Sequence, residues 1–328
     1  MEEITNNKNT MDKQPLVSII VITYNSSKYV LETLESAKAQ TYQNIELIVS
    51  DDCSTDNTVE ICKEWIEKNK ERFVRTELIT AEKNTGIPAN CNRGVKAAQG
   101  EWVKLIAGDD ILYNNCIEAN IEYAKKNPSS KLILSKMKLF DDNIKKNIGE
   151  SSLKDHILFK HPINPSLQRQ WLLNDYFGNT PTLFIKRDIF DFVQFDETIF
   201  YMEDYPFALN VTKKGFYFEY FDKTTIKYRI HDNSICMSHS QKKLFNDFYV
   251  KKRIFYTKYI YPEISIIGRI FMSIEYYRKK IIDKLGLNKN NLVCKLISAG
   301  TYRISPYFLY NKLKIHESEK QIRTTLKK

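Results

Sequence analysis

The sequence predicts an α/β fold built on a doubly wound, mostly parallel sheet, followed by a helical, basic C-terminal extension. Three observations carry that expectation. Apolar β-branched runs alternate with segments of helical periodicity from residue 16 onward. Polar and acidic residues gather at the ends of the first, second and fourth runs, the edge where open α/β sheets hold their ligands. The positive charge is confined to one end: residues 240–328 hold 20 Lys and Arg against 6 Asp and Glu, whereas the preceding residues are net acidic, 30 against 34.

Taken in order, Met1 to Pro15 is polar and reads as a disordered leader without the apolar core of a signal peptide. Leu16 to Thr23 is a nearly continuous apolar run, the pattern of a strand covered on both faces. Tyr29 to Gln40 places Val30, Leu34 and Ala37 at helical spacing, and Ile45 to Val49 is a second strand ending at Asp51-Asp52. Ser54-Thr55-Asp56 offers an N-cap to a helix over Val59 to Ile66, and Thr76 to Thr80 is a third strand. A turn at Asn84-Thr85-Gly86 leads into a helix over Ala89 to Gln99, which Gly100 stops.

Trp102 to Ala107 is the fourth strand, and it ends abruptly at Gly108-Asp109-Asp110. Adjacent carboxylates repel one another, so a strand end tolerates them best opposite a cation or a hydrogen-bond donor. A helix over Cys116 to Lys126 and a strand over Leu132 to Phe140 follow. Asp141 to Pro165 is polar and aperiodic, which reads as a mobile loop over the site. Thr182 to Ile185, a helix from Asp204 to Lys214 and alternating residues from Tyr217 to Ile230 restore order before His231.

In the extension, Ile266, Ile267, Ile270, Ile274, Ile281 and Leu285 recur at helical spacing among Arg269, Lys280 and Lys284. That pattern suits either packing on the main domain or lying on an anionic membrane surface. No run approaches the ~20 apolar residues of a membrane span. The 6 cysteines form no CxxC pair, which fits a reduced, cytoplasmic protein rather than a disulfide framework or zinc site.

Val17 to Asn25, then Gln40 to Asp56, Asn84-Thr85-Gly86, Asn92-Arg93-Gly94, Gly108-Asp109-Asp110, Glu203-Asp204 and Tyr228-Arg229-Ile230-His231 form an ordered set. Together they resemble the family 2 glycosyltransferases over about residues 16–235, leaving 240–328 as the extension. The resemblance implies a GT-A fold, a nucleotide-sugar donor (a UDP-sugar), a divalent Mn²⁺ or Mg²⁺ cofactor, and inversion at the anomeric carbon. It implies a glycan or lipid-linked acceptor, as in bacterial surface polysaccharide synthesis. Carried over by position, Tyr24 would stack on the base and Asp52 would accept from it. Thr23, Asn25, Asp51, Asn84, Arg93, Gly108 and Asp110 complete the nucleotide-binding set. Asp109 would bind the cation, with His231 as a further ligand. Asp204 would be the general base, with Glu203 as its alternative. The resemblance breaks at Ala107, where many members carry an acid, so a scaffold that binds a nucleotide sugar without catalysis stays open. A nicotinamide-dependent oxidoreductase shares the opening βαβ pattern, but Thr23-Tyr24-Asn25-Ser26-Ser27 stands where GxGxxG is required. The basic tail lacks a nucleic-acid recognition motif.

Overall fold

The computed structural model describes residues 14–159, 164–231, 243–245 and 248–325. Most of the expected leader (residues 1–13) and the expected boundary between body and extension lie outside the described residues.

Strands β1 (Val17–Thr23), β2 (Ile45–Asp51), β3 (Arg75–Thr80) and β4 (Trp102–Ala107) pair in parallel, with helices α1 (Val30–Lys38), α2 (Thr58–Asn69) and α3 (Ile87–Ala97) as crossovers. The short β5 (Ile111–Leu112), α4 (Cys116–Lys126), β6 (Leu132–Phe140), β7 (Asn147–Ser151) and α5 (Pro165–Leu172) follow. Then come β8 (Leu183–Lys186), α6 (Asp204–Lys213) and β9 (Glu219–Arg229). The sheet runs β3-β2-β1-β4-β8-β6-β9-β5, with β7 added to β6. Antiparallel β8 joins the parallel half to β6 and β9, which are parallel to each other.

Side-chain alternation divides the core into two layers. Ile19, Val21, Leu47 and Val49 face α1, α2 and α4, while Ile20, Ile48, Val103 and Leu105 face α3 and α6. Gly94 permits that second layer to close. A Cβ there would stand 2.4 Å from Ile20 Cγ2, so α3 reaches the sheet only with glycine at this position.

The segment expected to be a mobile loop is partly ordered. β7 pairs antiparallel with the end of β6, from Met137↔Ser151 to Phe140↔Asn147. Its residues are mostly exposed, so no apolar alternation announces the strand in the sequence. At the start of α2, Asn57 makes no side-chain cap, and Asp56, the last residue of the expected capping run, accepts the Thr58 amide at 3.0 Å and the Thr58 hydroxyl.

The extension comprises α7 (Phe248–Phe255), a π-helical turn at Tyr256–Ile260, α8 (Ile266–Lys284), α9 (Leu292–Arg303) and α10 (Pro306–Thr325). Ser265 caps α8 and Asn291 caps α9 through their side chains. The extension docks on the body through Phe255, fully buried against Tyr205 with ring centroids 4.6 Å apart, and through the Arg169–Glu263 ion pair at 2.7 Å. Along α8 the inward positions are Gly268, Glu275 and Ile282, so the apolar stripe does not pack on the main domain.

Candidate active site

The C-terminal ends of β1, β2 and β4 meet at one edge, where the loops build a layered polar cluster. Asp51 is fully buried and closes the loop after β2. Its carboxylate accepts from the Thr23 hydroxyl at 2.8 Å, the Ser54 amide at 2.8 Å and the Ser54 hydroxyl at 2.5 Å. Asp52 accepts the Thr85 and Gly86 amides at 2.9 and 2.7 Å, the Thr85 hydroxyl at 2.5 Å and Arg93 at 3.1 Å. These four bonds fill its lone-pair directions. Gly86 takes part because its φ of +91° and the Phe200 carbonyl 2.7 Å from any Cβ leave room for no side chain. Arg93 also donates to Asn90 Oδ1 at 2.9 Å, and Asn90 donates to the Thr23 carbonyl at 3.1 Å. At the rim, Tyr24 is 47% exposed on a loop that turns at Asn25, where φ is +51°. Asn84 is exposed and accepts the Gly86 amide at 3.1 Å.

The structure places the expected nucleotide set in two layers, one buried and one at the rim. Thr23, Asp51 and Asp110 are buried framework groups, because neighbouring donors and strand packing turn them inward. Asp52 is saturated, so a base would have to displace one of its donors. Gly108 sits too close to Thr23 Cγ2, 2.9 Å from a would-be Cβ, for any side chain.

The two acids of Gly108-Asp109-Asp110 point in different directions. Asp110 is buried, and its Oδ1 accepts the Arg229 amide at 2.9 Å. Burial, reinforced by the charge of Asp109, pushes the Asp110 carboxyl well above the usual carboxylate range. Asp109 remains 30% exposed, and its Oδ2 lies 2.9 Å from Nε2 of His231. Arg229 sets this pairing. Its Nε donates to the Asp109 carbonyl at 2.7 Å, its guanidinium also reaches Glu32 at 3.0 Å and the Asp142 carbonyl, and it lies over the Tyr29 ring at 4.5 Å. Among the described residues, no group of three or more His, Cys, Asp or Glu is arranged to hold a metal. Asp109 and His231 are the residues that would hold a divalent ion here, supplying one carboxylate oxygen and one imidazole nitrogen.

A second acid pair stands at the start of α6. Glu203 accepts from the Thr180 hydroxyl at 2.7 Å, and burial raises its carboxyl. Asp204 accepts the Tyr205 amide at 2.7 Å and a bond from the Tyr176 hydroxyl. Burial first, and then the negative charge of Glu203, push Asp204 up to about 8. The Tyr176 ring is held by stacking on Tyr205, centroids 4.8 Å apart. Beneath Thr180, the fully buried Lys104 of β4 donates to the Pro181 and Leu183 carbonyls at 2.6 and 3.2 Å, tying the Glu203-binding turn to the sheet. Burial lowers the Lys104 ammonium. The thiol of Cys91 on α3, raised chiefly by burial, also feels the carboxylates of Glu203, Asp204 and Asp52. The acid pair of α6 and the β2 loop therefore converge around α3.

Sequence reasoning missed Tyr176, Thr180, Lys104 and the side chain of Arg229 as supports. Lys104 was visible as a lone charge inside an apolar strand. Tyr176 and Thr180 lie in a segment with no periodicity to read.

The parallel β3-β2-β1-β4 half, the antiparallel β8 and the acids at the strand ends make an α/β sheet of the GT-A type. The model described as "Glycosyl transferase family 2" matches residues 18–193, more than half of the chain, so the chain belongs to that family and is a glycosyltransferase. An uncharacterized glycosyltransferase of Methanocaldococcus jannaschii, MJ1057, is 28% identical over 244 residues, covering 74% of this chain and 80% of that protein. Glycosyltransferase GlyG of Streptococcus pneumoniae is 29% identical over 184 residues, covering 55% and 60%. Among solved structures, residues 1–349 of S. aureus TarS in complex with UDP-GlcNAc superpose with a TM-score of 0.56 at 24% identity, covering 74% of this chain and 66% of that one. The same fragment without that ligand is spanned over 64% of its length. Those structures support the fold.

Proposed function

We propose that this enzyme transfers a sugar, with inversion, from a UDP-sugar to a hydroxyl of a glycan or lipid-linked acceptor in bacterial surface polysaccharide synthesis. The observation that carries the reading is Asp204, a half-buried carboxylate raised to about 8 and hydrogen-bonded by Tyr176 on the side of the fold where the strand-end acids gather. In the reaction, Asp204 accepts the acceptor hydroxyl's proton as that oxygen attacks the anomeric carbon from the face opposite the diphosphate. The new glycosidic bond forms, and the anomeric carbon–oxygen bond breaks with its electron pair leaving on the nucleoside diphosphate. Bound by Asp109 and His231, Mn²⁺ or Mg²⁺ would offset the charge of that leaving group. Tyr24, exposed at the rim, would offer a face to the base, with Asn84 and Arg93 as further members of the nucleotide-binding set. After burial, the charge of Glu203 helps hold Asp204 in its raised state. The binding of UDP-GlcNAc by TarS supports a uridine donor here.

The test is a screen of nucleotide sugars for hydrolysis and thermal stabilisation, with and without Mn²⁺. Stabilisation and slow hydrolysis requiring both a UDP-sugar and the cation are expected. Stabilisation without any hydrolysis or transfer would favour the non-catalytic scaffold.

A further inference from the structure

The helical extension exposes far more apolar surface than a solvated domain needs. On a helix turning about 100° per residue, exposed Ile266, Ile267, Ile270, Tyr277, Ile281 and Leu285 fall within one arc of roughly 100°. That arc lies opposite the inward Gly268, Glu275 and Ile282, so it points away from the protein. One edge of it carries Arg269, Lys280 and Lys284, all exposed. The next helix repeats the pattern. Leu292, Val293 and Leu296 are exposed on α9, with Lys295 on the flank and Arg303 within the apolar arc. Ile304, 84% exposed, continues the apolar surface at the end of α9. An isolated exposed leucine needs no explanation, but two consecutive helices turning their apolar arcs outward do.

The chemistry identifies what covers this face. A second copy of the chain would bring one set of lysines and arginines against another, in a segment whose net charge is +14. An anionic bilayer surface accepts the isoleucines and leucines among its acyl chains and attracts the basic flank. Among the described residues no helix is long and apolar enough to cross a membrane, so the geometry is that of helices lying in the interface. We infer that α8 and α9 form an interfacial docking surface for an anionic phospholipid membrane. This goes beyond the transferase reading and stands without it. If that reading holds, a lipid-linked acceptor is met at the same surface.

The test is co-sedimentation of the full chain with vesicles of phosphatidylcholine alone or with about 30% phosphatidylglycerol. The protein is expected to pellet with the anionic vesicles and to remain in solution with the neutral ones. Ile270→Asp/Ile281→Asp should reduce pelleting by about tenfold or more, and Lys280→Glu/Lys284→Glu should also reduce it. Both pairs alter exposed side chains only, and an unchanged circular dichroism spectrum and melting temperature would show that the fold is retained. UDP-sugar hydrolysis in free solution should match the unaltered chain in both variants. Absence of hydrolysis by the unaltered chain would count against the transferase reading alone, and failure of the unaltered chain to pellet with anionic vesicles would count against the surface alone. The inference is overturned if the unaltered chain ignores anionic vesicles, or binds neutral ones equally. It is also overturned if the chain sediments as a dimer that the aspartate variant splits into monomers.

Discussion

Transfer must follow the ionisation of Asp204 if that carboxylate takes the acceptor's proton. With Asp204 raised to about 8, only about one-tenth of the enzyme carries an ionised base at pH 7, whereas most does at pH 9. The limiting kcat/KM should therefore climb roughly tenfold between those values and level off beyond. Glu203→Gln removes the second cause of the shift and leaves the first, burial. The limb should then move toward acid and the rate at pH 7 should rise. If Glu203 were the base instead, the same substitution would abolish transfer. Asp204→Asn should lower kcat by about 10² to 10⁴ while leaving donor binding intact. Stability should move the other way. An acid whose folded-state pKa is raised contributes its full stability at low pH and loses it as pH rises from the ordinary carboxylate range through about 8. Asp204→Asn escapes that loss, so its melting temperature should exceed the parent's at pH 9 and match it near pH 4. The assay is initial-rate transfer of radiolabelled sugar from pH 6 to 9.5, paired with thermal denaturation at the two pH extremes. A flat profile across that range, or an Asp204→Asn enzyme of normal rate, would refute the assignment.

Tyr176→Phe removes a hydrogen bond that favours ionised Asp204, so the same pH limb should shift to higher pH and the rate at pH 7 should fall several-fold. Rate profiles of parent and variant in matched buffers check this. Asp109→Asn should abolish the extra thermal stabilisation that Mn²⁺ adds to a UDP-sugar, whereas Asp110→Asn, altering a buried acid whose Oδ1 serves the Arg229 amide, should retain it. Differential scanning fluorimetry with and without the cation separates the two. Gly94→Ala should destabilise by about 1 to 3 kcal/mol, because the new methyl meets Ile20 Cγ2 at 2.4 Å and α3 must lift from the sheet. A denaturant titration that leaves the midpoint unchanged would show that α3 moves freely.

How far the sequence revealed the molecule depends on whether each feature leaves a local signal. Parallel strands covered on both faces read as unbroken apolar runs, so β1, β2 and β4 and the acids at their ends stood out. The β7 hairpin did not, because most of its residues are exposed and its partner on β6 carries the packing. Nor could local sequence separate Asp109 from Asp110. What turns one inward is an amide 119 residues downstream. The stripe on α8 was legible as amphipathic, but its outward direction follows only from which side meets the body.

Arg229 shows why so much of the site was non-local. A fully buried guanidinium is costly unless its donors are matched, and here they are divided among three separate segments. One fork grips the loop that carries Asp109, others the turn after β6 and the first turn of α1, and the stem leads two residues on to His231. The two groups suited to a cation, far apart in sequence, are thus brought to 2.9 Å by the hydrogen-bonding demands of a residue that faces neither ligand nor solvent. A lysine would keep the charge but lose the planar fork that reaches several acceptors at once. That requirement, rather than any local preference of the Tyr228-Arg229-Ile230-His231 run, explains why an arginine stands so close to the histidine.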